Sequence, residues 1–378
     1  MSTSIRESAM VSPFFVFFLV HANIVGVGIL GFQRTIVAHA GYDAWISLLF
    51  AGASIHLIIW MLYFMLNAGS QDLFSLHDLC FGKWLGKLMS FAVLIYVWMA
   101  AFLILRSYVS IVKQFIFPLM HTWSTTLIIL LLILYIVAGG FRTVTGVCFF
   151  GVVIPAILML PLFLFPFEYA HPNNLFPMFS HNFTAVFASA KDAVINYMGF
   201  ELLFFYYPFI KRAADSQKWA HAGVLFSTLL YVAVALVTFL MFSQGELDKI
   251  IWPTLTMLKI VEIPILQRLE FIVISLWLFV ILPNICLNLW GVTRGMKQIF
   301  GISQIRALLL LLASLAMGSY LLEGTTPLLM ALDFYGKVSI VFIYGYIPLL
   351  FLLFLLWGKK RSTARYLTPP GAETEKAR

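Results

Sequence analysis

Charge is what this sequence has least of. Only 11% of its 378 residues are Asp, Glu, Lys or Arg, against roughly 25% in a soluble globular domain. With 62% hydrophobic residues, 16% aromatic ones and a mean hydropathy of +0.97, that scarcity excludes an ordinary soluble fold, a disordered chain, a coiled coil and collagen. Cysteine is nearly as scarce: Cys80, Cys148 and Cys286 are too few and too scattered for a disulfide framework or a metal site. Also missing are a Gly-rich phosphate loop ending in Lys-Ser/Thr, an H-E-x-x-H pair and a G-x-S-x-G elbow. Without them no enzyme activity, no metal and no other cofactor is expected.

What remains is apolar surface far beyond what one soluble core can hide, so lipid must serve as part of the solvent. A helix needs about 20 apolar residues to cross a hydrocarbon core of about 30 Å. Windows of that size fall at about 12–32, 44–66, 84–112, 123–139, 144–166, 184–208, 219–243, 270–298, 305–322 and 337–357. Main-chain polar groups inside lipid must bond within their own segment, and runs of this length do not suit barrel strands. The expectation is an all-α multi-pass membrane protein of ten transmembrane helices. Residues 1–378 then form a single integral membrane domain, with helices 1–5 over about 12–166, helices 6–10 over about 184–357 and a cytoplasmic tail over about 358–378. The start of the chain, with Ser12-Pro13-Phe14 and no small-residue cleavage site, predicts that the first apolar segment is retained.

The formal charge of +8 and pI near 9.3 do not point to nucleic acid, because the basic residues are spread over short loops. With the N-terminus inside, inner loops receive Arg6, Lys83, Lys87, Arg142, Lys211, Arg212, Lys218, Arg294, Lys297, Arg306 and the cluster Lys359-Lys360-Arg361. Outer loops receive fewer cations and most of the acids, among them Asp43, Asp192, Glu246 and Glu323. That bias predicts both termini on the cytoplasmic side.

Ten helices invite a test for two inverted halves of five. The longest inner loop, about 67–83, follows helix two, and the longest outer loop, about 244–269, follows helix seven. These are matching places on opposite faces. A sharper match lies within helices one and six. Helix one contains Asn23-Ile24-Val25-Gly26-Val27-Gly28-Ile29-Leu30, and helix six contains Asn196-Tyr197-Met198-Gly199-Phe200-Glu201. Glycine pairs often serve only close helix packing. Interruptions at matching positions of two halves, one beside a buried acid, instead predict discontinuous helices and a binding site between them.

An unwound helix one would present unpaired N–H groups at Gly26, Val27 and Gly28, favouring an anion such as a carboxylate. Carbonyls freed around Asn196–Met198 would receive an ammonium group. A zwitterion, hence a small amino acid, fits that charge geometry, and so does a neutral solute with one donor and one acceptor. Glu201, placed within a span, must be paired, protonated or hydrogen-bonded; a proton-sensing or ligand role and a purely structural cap both stay open. Tyr197 adjoins the break. Phe200 belongs to the same Gly-Phe-Glu run, and Tyr96 and Trp277 complete the candidates near mid-depth. Arg106 is expected to snorkel to the outer interface, and His21 and His56 to be packing residues.

The motifs Gly26-Val27-Gly28-Ile29-Leu30 and Gly199-Phe200-Glu201 resemble those of the amino acid–polyamine–organocation transporters, which share the LeuT-type 5+5 inverted-repeat fold. Further stretches resemble one branch, the B subunits of bacterial spore germinant receptors, or endospore germination permeases. They are Ala40-Gly41-Tyr42-Asp43-Ala44-Trp45, Phe81-Gly82-Lys83-Trp84-Leu85-Gly86-Lys87, Asn174-Leu175-Phe176-Pro177 and Ile263-Pro264-Ile265-Leu266-Gln267-Arg268-Leu269-Glu270. The likeness covers nearly the whole chain. It implies a subunit that senses a germinant, often an amino acid, working with A and C subunits in the inner membrane of the spore. The ligand would bind between helices one, three, six and eight. Sodium-coupled members of this fold supply hydroxyls from helix eight, yet 276–290 contains no Ser or Thr; some proton-coupled relatives carry a lysine in helix five, and 144–166 contains none. A proton-coupled amino acid permease, with Glu201 carrying the proton, is the alternative.

Overall fold

The computed structural model describes residues 5–70, 72–260 and 269–358. Among these the secondary structure is helical, and main-chain pairing of the strand type is limited to the isolated bridge between Val11 and Ile210. In chain order the helices are α1 (Phe15–Ile24), α2 (Phe32–Ala40), α3 (Ala44–Met65), α4 (Leu73–Phe115), α5 (Thr122–Ala138), α6 (Phe141–Met159), α7 (Phe183–Ala193) and α8 (Leu203–Tyr206). There follow α9 (Gln217–Met241), α10 (Gln244–Leu247), α11 (Pro253–Ile260), α12 (Leu269–Phe300), α13 (Gln304–Leu321), α14 (Thr325–Val341) and α15 (Ile347–Leu353). Seven helical stretches among the described residues are long and apolar enough to cross a bilayer: Phe32–Ala68, Leu73–Phe115, Phe141–Tyr169, Ala213–Met241, Phe271–Phe300, Gln304–Leu321 and Thr325–Trp357. Phe15–Ile24 and Thr122–Ala138 are apolar but shorter.

Every hydropathy window falls on helical structure, and the boundaries part where polar residues lie in helices. Residues 73–83, expected as an inner loop, open α4 instead. Asp72 accepts the Ser75 N–H at 2.9 Å and completes a capping box, and the helix is kinked at Gly82 (φ 77, ψ 173). His77, Asp78 and Lys83 hid this turn from a hydropathy reading. For the same reason the separate helix α2, with Gln33, Arg34 and His39, was not foreseen, nor were α10 and α11 within 244–269. At the other extreme α6 stops at Met159, and a 3-10 run over Leu160–Tyr169 carries Pro161 and Pro166, each of which removes an N–H from the ladder. The expected turn between helices four and five is present: Gly140 takes φ +84, which a side chain resists. The Ile263–Arg268 motif and the basic tail from Lys359 lie outside the described residues.

α12 is the central element, with 72% of its apolar window buried, and it packs mainly on α4 and α6. α1 packs on α9 and α6, α3 on α9 and α7, and α2 on α7. Around this core stands a belt of exposed apolar side chains, including Leu127, Ile128, Leu131, Leu309 and Leu310, as a lipid-facing surface requires. Arg106 is 3% exposed, and its Nη2 donates at 2.8 Å to the carbonyl of Leu322, the residue that ends α13. His21 is buried against Ser227 (2.8 Å), and His56 meets His221 (2.8 Å).

Candidate functional site

Two interruptions of helical structure face each other at the centre of the molecule. α1 stops at Ile24; Val25 is extended (φ −88, ψ 106), Gly26 follows at φ −136, ψ −139, and a 3-10 turn runs over Val27–Leu30. α7 continues as a 3-10 turn through Val194–Tyr197, after which Met198 is extended and Gly199 takes φ +112 before Phe200–Leu202 and α8. Glycine is needed at 199 both for that angle and for closeness: a Cβ there would lie 2.7 Å from the Asn23 carbonyl oxygen. Gly28 faces the opposite break in the same way, since a Cβ on it would meet Asn196 Oδ1 at 2.6 Å.

The carbonyls released by the breaks are taken up by side chains, as buried main-chain groups must be. Tyr231 Oη on α9 donates to both Ile24 O and Asn196 O, each at 3.1 Å, so one hydroxyl ties the two breaks together. Asn284 Nδ2 on α12 donates to Asn23 O at 3.0 Å, and Thr254 Oγ1 to Ile29 O at 2.8 Å. Glu201 caps the break to which it belongs: Oε2 accepts the Gly199 N–H at 2.7 Å and Oε1 the Tyr96 hydroxyl at 3.0 Å. Tyr96 is held by stacking on Phe342 and Tyr335, with centroids 4.5 and 5.2 Å apart. The N–H side of the α1 break is treated differently. The N-cap of the Val27–Leu30 turn is Gly26, which has no side chain to accept from the turn's opening N–H groups.

A cavity of about 570 Å³ occupies the space between the breaks. Its walls run from buried Asn23, Gly26 and Glu201 and half-buried Gly199 to exposed Arg34, Thr35 and Ala38, where it opens. Of the ten residues singled out in the sequence, Asn23, Gly26, Val27, Gly28, Gly199 and Glu201 line it. Tyr96 reaches it through Glu201. Tyr197 and Phe200 are fully buried in the packing behind the break, the Tyr197 hydroxyl donating to Leu48 O at 2.9 Å. Trp277 lies elsewhere. It lines a separate apolar pocket of about 60 Å³ with His21, Val25, Ile29 and Pro155, on the side of the α1 break that faces α6. Asn284, Asn288, Tyr231 and Tyr335 also line the cavity and were not foreseen. The i, i+4 spacing of Asn284 and Asn288 within an apolar helix was the available signal for the first two. Among the described residues no group of three or more His, Cys, Asp or Glu is placed to hold a metal ion.

The family model described as "Spore germination protein" matches residues 10–327. The chain belongs to that family. It is 39% identical over 343 residues to spore germination protein GerQB of Bacillus cereus, covering 91% of this chain and 95% of that one. Spore germination protein A2 of Bacillus subtilis is 22% identical, over 92% of this chain and 95% of its own length. Among solved structures, a Na+-coupled sialic acid symporter in a substrate-bound outward-open state superposes with a TM-score of 0.64, over 92% of this chain and 80% of that one, at 12% identity. The likeness is one of fold: this germination protein is built as a helical membrane transporter.

Proposed function

We propose that the chain is the ligand-sensing membrane subunit of a spore germinant receptor, binding a small nutrient, an amino acid, in the cavity between the two breaks. On this reading residues 1–378 form one membrane domain of ten spans in the LeuT-type five-plus-five arrangement, with both termini cytoplasmic. The chain works with A and C subunits in the inner membrane of the spore and performs no chemical step of its own. The observation that carries the reading is the asymmetry of hydrogen bonding at the site. Side chains of α9 and α12 take up the carbonyls of Asn23, Ile24 and Asn196, whereas the Val27–Leu30 turn opens beside the cavity from Gly26, which offers its N–H groups no side-chain cap. An anionic group is the natural guest of such a turn, and a membrane-embedded cavity gives the contact weight by excluding water. Nutrient binding then favours one arrangement of the half-helices over another, by no more than its differential affinity for the two.

Exchanging this chain between receptors of different nutrient specificity tests the proposal. The nutrient that triggers germination should follow the chain; a response that stays with the other subunits would refute it. The proton-coupled permease is separated by counterflow of labelled amino acids in liposomes holding this chain alone, which the receptor reading expects to be silent.

A further inference from the structure

Within the belt of exposed apolar side chains a groove of about 630 Å³ lies between α5 and α13, apart from the central cavity. Leu131, Tyr135 and Ala138 of α5 form one wall and Ile305 and Leu309 of α13 the other; Thr143, just past the turn from α5 into α6, stands at its end. Leu131 is 59% exposed, Tyr135 79% and Leu309 51%. The chain leaves room around this end: a Cβ on Gly140, or on Gly301 ahead of α13, would meet nothing within 4 Å.

Length and charge together say what fills the groove. On α5 it reaches from Ala138 only as far as Leu131, about 10 Å of helix, or a third of a hydrocarbon core of about 30 Å. A neighbouring transmembrane helix would need a seam along the whole of α5, whereas an acyl chain belongs to one leaflet and needs no more than half the core. Charge marks the end at the turn. Arg142 precedes Thr143 and Arg306 follows Ile305, both exposed. Arg142 lends Nη1 to a neutral acceptor, Ser8 O, at 3.1 Å, and neither arginine forms an ion pair among the described residues. Lys297 in the last turn of α12 adds a third cation, and neither 129–150 nor 297–322 contains an Asp or Glu.

We propose that the groove is a binding site for one anionic phospholipid, an acyl chain lying between α5 and α13 and the phosphate held by Arg142 and Arg306. A basic pocket between membrane helices favours a headgroup of net negative charge. A zwitterionic lipid carries the same phosphate but adds a cation, which the uncompensated positive charge here repels. The site does not depend on the nutrient-sensing reading; it requires only that α5 and α13 lie in the bilayer.

Native mass spectrometry of the full-length protein in detergent, titrated with phosphatidylglycerol or with phosphatidylcholine of the same chains, tests the proposal. One phosphatidylglycerol should bind at least about fivefold more tightly than phosphatidylcholine. Arg142→Gln and Arg306→Gln should each weaken phosphatidylglycerol by roughly fivefold, the effect of one cation beside an anionic lipid, and leave phosphatidylcholine nearly unchanged. Ala138→Phe fills the groove and should weaken both lipids. Lys259→Gln, on α11 and no part of the groove, should change neither. The side chains at 138, 142 and 306 are exposed, so the unfolding midpoints should stay at the wild-type value. Equal affinity for the two lipids, or arginine variants that hold phosphatidylglycerol as the wild type does, would overturn the proposal. So would an Ala138→Phe protein that binds both lipids unchanged, since the chain would then lie elsewhere. A wild-type dimer in lipid-free detergent that Ala138→Phe converts to monomer would assign the groove to a second copy of the chain instead.

Discussion

A single methyl group at Gly199 should be costly out of proportion to its size. The residue sits at φ +112, ψ −21, where an L side chain loses roughly 1–2 kcal/mol through its Cβ. That Cβ would also stand 2.7 Å from Asn23 O, 2.8 Å from Asn23 Cβ and 2.9 Å from Asn23 C. These are main-chain atoms or atoms next to the main chain, so they cannot swing aside, and overpacking of this kind costs about 1–3 kcal/mol. The two terms together put Gly199→Ala at about 2–5 kcal/mol, a large part of the 5–15 kcal/mol by which a protein is typically stable. The appropriate control is Gly146→Ala in α6, where a Cβ would meet nothing within 4 Å and removal of a helix-interior glycine should be neutral or stabilising by about 0.5–1 kcal/mol. Denaturant or thermal unfolding of both purified variants in one detergent measures the difference. Equal midpoints for Gly199→Ala and wild type would refute the argument that the two breaks are pressed together through this glycine.

Further outcomes follow from the same contacts. Tyr231→Phe removes the one hydroxyl shared by Ile24 O and Asn196 O and should cost about 1–3 kcal/mol in unfolding, with amide exchange rising at both breaks together; exchange confined to one break would count against the bridge. Tyr96 and Glu201 should behave as a coupled pair, because the hydroxyl donates to the carboxylate at 3.0 Å: in a double-mutant cycle, Tyr96→Phe should add little once Glu201→Leu has removed the acceptor, and full additivity would sink the pairing. At the Ser243–Glu246 capping box of α10, the Ser243 main-chain and side-chain hydrogen bonds hold the Glu246 carboxyl below its ordinary value of 4.5. A depressed value means that this support is complete above the ordinary carboxylate range and is lost as pH falls through the lowered value. Amide protection over 243–248 should drop in acid and become insensitive to acid in Glu246→Gln, which has no carboxyl to titrate.

Much of this was legible in the sequence, for reasons that differ from element to element. Apolar runs placed α3, α5, α9, α12 and α13 within a few residues of their observed ends, because lipid imposes length and composition at once. Gly26, Gly28 and Gly199 marked the breaks because a glycine inside an apolar helix costs stability and so stands out. The partners that make those breaks tolerable were not legible. Tyr231 reads as one more aromatic in α9, and Asn284 and Asn288 as two polar residues in a long apolar helix; only the crossing of α9 and α12 with α1 brings them to the carbonyls they satisfy. Trp277 shows the converse error. Depth along α12 was judged from the sequence, but which way that turn faces is set by packing against α6, and the indole ends in another pocket.

The end of the molecule away from Arg34 is closed, and the manner of its closing bears on how a bound nutrient would be felt. Beyond Glu201 the chain from Leu202 to Tyr207 is buried, and Phe209 packs edge-on against Trp290 at 5.0 Å, with Phe141 a further 4.5 Å from that indole. Arg294 on α12 lies over the Phe209 ring at 4.4 Å and 3.7 Å from Asp72, the residue that caps α4 and accepts from Gln298 at 3.0 Å. One side chain therefore holds three stretches that follow from different parts of the cavity wall: the segment after α8, the start of α4 and the far end of α12. A permease must open and reclose this end in every cycle, whereas a receptor need only loosen it far enough for a neighbouring subunit to respond. On the receptor reading, Arg294→Gln removes the cation from the ring and from Asp72 and so weakens the resting arrangement by about 1 kcal/mol or more. Because ligand and closure bias one equilibrium, that loss should lower the nutrient concentration for half-maximal germination by roughly fivefold or more. Spores whose dose–response is unchanged by Arg294→Gln would mean that closure at this end is not what the nutrient works against.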